Sequence, residues 1–222
     1  MRNLFSPDNA IMLFITKIVY SVYLNILWFI CCLPIVTAGA STSALFYVTL
    51  KMAKNEEGGI TSQFFRAFRQ NFKLATKVWL VMLAVGILLS VDGYVLYHMR
   101  FENAMWAIVT AIFIVAVIAY LIILMYIFPL IARFDNTVRM MFFNSIMIGM
   151  RFLLCTVLMA VIYFAMAVIV INLFTPAIIF GEGFCAFLCS YLLTGVLAMC
   201  EPAQENDSEE SESENDILQT EE

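Results

Sequence analysis

An all-α, polytopic membrane bundle is the fold class this sequence predicts, and three observations predict it. Apolar residues fill 63% of the 222 positions and charged ones 13%, with a mean hydropathy of +0.92; soluble domains run near half apolar and a quarter charged. Four runs, 78–97, 104–130, 152–174 and 177–199, reach the 20 or so apolar residues that a helix needs to cross the hydrocarbon core. Charge is segregated as well: residues 1–200 carry all 12 Lys and Arg against 7 acids, whereas 201–222 carry 10 acids and no base. Together these exclude a soluble globular domain and predict about six membrane-embedded helices plus one interfacial helix. Residues 1–200 form a single membrane domain and 201–222 an acidic tail, read as disordered because it has almost nothing apolar to bury.

The N-terminal stretch lacks the short apolar core and cleavage site of a secretory signal, so no processing is expected. Between Lys17 and Lys51 no side chain is charged. A single helix over 10–50 would be about 60 Å long, twice the core thickness, so the chain turns back. Pro34 disfavours helix before it, Thr37 offers a cap and Gly39 a permissive backbone. The prediction is a hairpin of helices 10–33 and 38–53, the second short, tilted or re-entrant. Ala38 and Thr42, Gly39 and Ser43, and Ala40 and Ala44 are each four apart, giving a flat side that lets backbones approach closely. The alternative use of this block is a cavity lined by the hydroxyls of Thr37, Ser41, Thr42 and Ser43.

Gly58 and Gly59 precede an amphipathic stretch with Thr61 or Ser62 as its N-cap. At about 100° per residue, Phe64, Phe65, Phe68 and Phe72 share one sector and Arg66, Arg69, Lys73 and Lys77 the adjoining one. This predicts a separate helix lying along the inner interface, with a role in membrane packing or in docking a partner, the acidic tail being one intramolecular candidate.

The segment 51–77 has six Lys and Arg, and Arg133, Arg139 and Arg151 share another loop. Such loops face the cytoplasm, and the C-terminal tail joins them in a multi-pass cell-membrane topology. The run 104–130 is expected to end at Pro129, and Trp79 and Trp106 read as interface anchors. In that second loop Arg133, Phe134, Asp135 and Asn136 form a motif in which Asp135 pairs locally or caps the next helix.

Reactive groups inside the apolar runs are few. Lys17 and Asp92 are the ionisable candidates, each near a span end, and His98 lies in an outer loop. No paired carboxylates, nucleophile elbow, phosphate loop or zinc motif is present. Cys185 and Cys189 are one turn apart but lack a companion His or carboxylate at ligand spacing, so they read as small packing residues. No catalysis, metal or cofactor is expected, and no nucleic-acid partner. Asn25 and Trp28 share a helix face, offering an amide and a stacking surface; with Thr37, Thr42 and Asp92 they form the candidate solute or packing site.

The stretch "LNILWFICCLPIVTAGASTSALFYVTLKMAKNEEGG", followed by "FFRAFRQNFK" and later "IARFDNTVRM", resembles the YesL family of bacterial integral membrane proteins. Asn25, Trp28, Pro34, Thr37, Gly39, Phe64, Phe68, Asn71 and Phe72 stand in register, and the likeness runs from Leu4 to about Met199, leaving the acidic tail outside. The resemblance implies association with carbohydrate uptake and names no reaction. The expected function is a non-catalytic accessory or regulatory membrane protein working beside a sugar-transport permease or sensor subunit. The alternative is a small permease for a neutral polar solute such as a sugar. Besides those partners the lipid bilayer is the surrounding surface, and the oligomeric state is left open.

Overall fold

The computed structural model describes residues 10–56, 58–98, 104–134, 136–172 and 181–199. These form seven helices: α1 (Ala10–Cys32), α2 (Ala38–Ala53), α3 (Ile60–His98), α4 (Ala104–Arg133), α5 (Val138–Arg151), α6 (Leu153–Asn172) and α7 (Gly181–Met199). No strand occurs among the described residues. All but α2 and α5 are long and apolar enough to cross a bilayer, so the chain is an all-α, multi-pass membrane protein. The acidic segment 201–222, together with Glu57, Arg100, Asp135 and the 173–180 part of the predicted spans, lies outside the described residues.

The first two helices make the predicted hairpin. Cys32 ends α1, a 3-10 turn at Ile35–Thr37 follows Pro34, and α2 starts at Ala38. Thr37 does not cap α2 with its side chain; its hydroxyl turns back to the Cys31 carbonyl at 2.6 Å and the Pro34 carbonyl at 2.8 Å, tying the corner to α1. At 16 residues α2 is short, and 11 of them, between Gly39 and Met52, are buried. Among α1 to α6 it packs most extensively on α3, and also on α4 and α1. A short helix is tolerated in an apolar bundle only where protein covers it, and α2 is covered by α1, α3, α4 and α7.

The small block explains how α3 approaches. A methyl group on Gly39 would stand 2.6 Å from the Ala75 carbonyl oxygen and closer still to the Trp79 Cβ. Ala40 and Ala44 are fully buried in the same contact region. The Trp79 indole nitrogen donates to the Ile35 carbonyl at 2.7 Å, so this tryptophan, read as an interface anchor, pins the hairpin corner.

Three expectations are corrected. The amphipathic stretch is not a separate interfacial helix: it is the first half of the 39-residue α3, which runs unbroken into the apolar half. Thr61 and Ser62 consequently sit inside α3, and Gln63 bonds back to the Gly59 carbonyl. The physical reason is that Phe64 and Ala67 are fully buried with the core, so the aromatic sector finds its apolar surroundings in protein. Next, α4 does not stop at Pro129 but continues through it to Arg133; proline removes one helical hydrogen bond, and buried packing from Tyr126 to Ala132 holds the turn around it. Finally, the basic loop 133–151 holds a helix of its own, α5, which breaks from α6 at Phe152 (φ −112°, ψ 52°).

Candidate functional site

The residues singled out in the hairpin come together, but they are occupied with one another. The Trp28 indole nitrogen donates to the Thr42 hydroxyl at 3.0 Å, and Thr42 in turn donates to the Ala38 carbonyl at 2.8 Å. Ser41 donates to the Trp28 carbonyl at 3.0 Å. Ser43 accepts from the Asn71 amide of α3 at 3.2 Å. The hydroxyls offered as the lining of a cavity are thus ties between α1, α2 and α3. Buried polar groups are satisfied in this way because an unmade hydrogen bond costs more than a made one contributes.

Asn25 parts company with Trp28. Fully buried, it accepts from the Gly183 backbone N–H at 2.8 Å, joining α1 to α7. Gly183 has no room for a side chain: a methyl there would lie 2.6 Å from the Ser21 carbonyl and 2.9 Å from the Asn25 Cβ. Asp92 stands elsewhere, exposed on the second half of α3. Lys17 is 5% exposed; its ammonium group donates to the Asn55 side-chain oxygen at 2.6 Å and to the Tyr191 hydroxyl at 3.3 Å. His98 closes α3, its ring tilted 33° against that of Tyr94 with centroids 4.1 Å apart.

One group was passed over in the sequence. Glu182, in the "GEG" triplet whose glycines suggest a flexible turn within the run 177–199, is the second described residue of α7, partly buried and interacting with the Tyr163 hydroxyl of α6. Near it Ser21 is fully buried, and its hydroxyl has no hydrogen-bond partner. The usable signal was the continuity of the apolar run on both sides of "GEG", which argued against a loop. Buried Thr49 and Ser190, bonded at 2.8 Å across α2 and α7, were also missed; a contact between positions 141 apart leaves no local trace.

Cys31, Cys32, Cys155, Cys185 and Cys189 are free thiols. No group of three or more potential metal ligands occurs among the described residues. In the basic loop, Arg133 is exposed, Phe134 packs against the core and Asn136 is half-buried; the pairing expected of Asp135 falls on a residue outside those described.

A charged, exposed surface lies along the first half of α3. Arg66, Arg69, Lys73 and Lys77 are all exposed, and their spacing sets them in one stripe about 80° wide at 100° per residue. Phe64, Phe68 and Phe72 form a ring ladder beside it, with centroids 6.4 Å and 5.5 Å apart; Phe64 is buried, while Phe65 and Phe72 are 40% and 37% exposed at the stripe's edge. The Arg66 guanidinium donates to the Tyr47 hydroxyl at 3.1 Å, and Lys51 sits 5.0 Å from the Tyr47 ring centre. Burial alone would raise the Tyr47 phenol, but the bonds and charges of Arg66 and Lys51 outweigh it and hold the phenol below its ordinary value. That is the mark of a positive local potential.

Residues 21–93 match the family described as "Protein of unknown function, DUF624", a stretch that holds most of α1, all of α2 and most of α3. The chain is 27% identical over 164 residues to "Uncharacterized protein YesL" of Bacillus subtilis (strain 168), a likeness covering 72% of this chain and 76% of that one. No solved structure gives a significant match.

Proposed function

We propose that this member of the YesL family is a non-catalytic accessory or regulatory protein of the cell membrane, and that the basic stripe of α3 is the face on which it meets a partner. The observation that supports this reading is how polar groups are distributed. Inside the hairpin, Trp28, Thr37, Ser41, Thr42 and Ser43 are all engaged in hydrogen bonds between or within helices, whereas the four cations of α3 stand exposed. Charged rims of this kind steer and select partners. The link to carbohydrate uptake or sensing comes from the family resemblance, so the partner sought is a permease or sensor subunit. Cross-linking in native membranes followed by affinity isolation should recover such a subunit with the wild type and lose it with Arg66→Glu/Arg69→Glu. Repeated recovery of the protein alone would overturn the reading.

The alternative, a permease for a neutral polar solute, is favoured by one feature: the Glu182 carboxyl and the unpartnered Ser21 hydroxyl near Asn25. Ionisable groups within apolar helices are costly and often serve a task. Reconstituted vesicles offered a panel of sugars decide it, since uptake that disappears with Glu182→Gln supports the permease and absence of flux removes it.

A further inference from the structure

We propose that the acidic C-terminal segment of this chain, residues 201–222, docks on the basic stripe of α3 and covers the partner-binding face. The inference rests on that face being the functional one, and adds how access to it is controlled.

Geometry roots the segment at the end of the bundle where α3, and with it the stripe, begins; from Arg66 beside Tyr47 the stripe runs toward the hairpin corner, where Trp79 meets Ile35. The Lys17 ammonium bridges Asn55, in the connection between α2 and α3, and Tyr191 of α7. From Tyr191, α7 continues to Met199, about 12 Å further at 1.5 Å per residue. The acidic segment therefore departs from the end at which α3 begins. Arg66 to Lys77 occupies about 17 Å of helix, and 22 extended residues reach up to roughly 70 Å, so the tether is ample.

The chemistry is complementary in two respects. Ten carboxylates and no base follow Met199, facing Lys51, Lys54, Arg66, Arg69, Lys73 and Lys77 in the α2–α3 region. Exposed ion pairs are individually weak, but a tethered segment works at an effective concentration in the millimolar range, which lets many weak contacts act together. Within the segment Ile217 and Leu218 are an adjacent apolar pair, and Phe65 and Phe72 are exposed at the edge of the stripe two helical turns apart. The pair supplies the apolar contact that sets a register along an otherwise uniform charge stripe.

The test uses the full-length protein in phosphatidylcholine nanodiscs, treated with a carbodiimide that joins carboxylates directly to amines, with the products mapped by mass spectrometry. Amide links between residues 201–222 and Lys73 or Lys77 of the same molecule are expected. At about 1 M salt, where the screening length falls to about 3 Å, their yield should drop by roughly fivefold or more, without any change in sequence. Arg66→Glu/Arg69→Glu should do the same, and Ile217→Ser/Leu218→Ser should spread the links to Lys51 and Lys54. Links confined to Lys51 and Lys54 in the wild type, links only between molecules, or yields indifferent to salt would each overturn the proposal. So would their disappearance in nanodiscs containing phosphatidylglycerol, because the stripe would then belong to lipid headgroups. Removal of residues 201–222 separates this idea from the partner reading: masking predicts more partner recovered. If no partner is recovered from either form while the intramolecular links persist, it is the partner reading that fails.

Discussion

Gly39 stands where α2 approaches α3 closely, and what it meets is a backbone oxygen and the root of the Trp79 side chain. A methyl group there would press on the Ala75 carbonyl oxygen at 2.6 Å and on the Trp79 Cβ, neither of which moves without shifting α3. Gly39→Ala should therefore destabilise the bundle by roughly 1–3 kcal/mol, the usual cost of overpacking. Gly195, with nothing within 4 Å of a Cβ, provides the control: Gly195→Ala meets no clash and gains helix propensity, so it should hold or raise the unfolding midpoint in detergent, never lower it. Tyr47 carries the second residue-scale expectation. With Arg66 and Lys51 holding its phenol below the ordinary value, the difference titration of wild type against Tyr47→Phe at 295 nm should have its midpoint below about 10. The sign follows from the charges: removing a cation disfavours the phenolate, so Arg66→Ala should move that midpoint upward. A midpoint unmoved by the substitution would mean that Arg66 does not act on Tyr47 in solution.

Between elements, the contacts that hold α1 to α2 are hydrogen bonds, and their strength is measurable. Trp28→Phe keeps an aromatic ring and removes the donor to Thr42, and Thr42→Val removes the acceptor; the cycle cancels the volume that each single change loses. A double-mutant cycle should return a coupling of about 0.5–1.7 kcal/mol, the range found for interhelical bonds in membranes, with no dependence on added sugar. Coupling that changed with sugar would reinstate the pair as a solute site. The hairpin was legible in the sequence because its causes are local: Pro34, a permissive glycine, and a length that no single span accommodates. The course of α3 was not. Its composition switches from amphipathic to apolar between Lys73 and Val78 with no glycine or proline to mark a break, and a helix needs none when both halves have something to pack against. Punctuation misled in the other direction as well, since α4 passes through Pro129 while α5 and α6 part at Phe152. At the site, the pairing of Asn25 with Gly183 joins positions 158 apart; the residue type announced that a partner was needed, and only the fold could say which.

The whole molecule is two-faced. Along α1 the outward side chains are apolar, with Ile15, Val19, Ile26 and Ile30 between 42% and 59% exposed, and α6 presents Leu154, Phe164 and Ile171 in the same manner. The first half of α3, packed against the same central α2, turns four cations outward. Sinking that stripe into hydrocarbon would cost about 2.5–3.5 kcal/mol for each Lys or Arg near the centre, roughly 10–14 kcal/mol for four. Lifting the α1 face into water would forfeit about 25 cal/mol for every Å² of apolar surface withdrawn from lipid. The first term alone is comparable to the entire stability of a folded domain, and the second grows with every apolar side chain exposed. The arrangement that satisfies both has α1 and α6 against lipid while the stripe opens to water, either at a bilayer surface or in a hydrated crevice. Spin labels make this a direct measurement. A label replacing Gln70, exposed beside the stripe, should collide preferentially with a water-soluble nickel chelate, and labels replacing Val19 or Ile26 preferentially with oxygen dissolved in the bilayer. If the label at position 70 sides with oxygen, the stripe is embedded in lipid, and neither a partner nor the acidic segment can reach it from water.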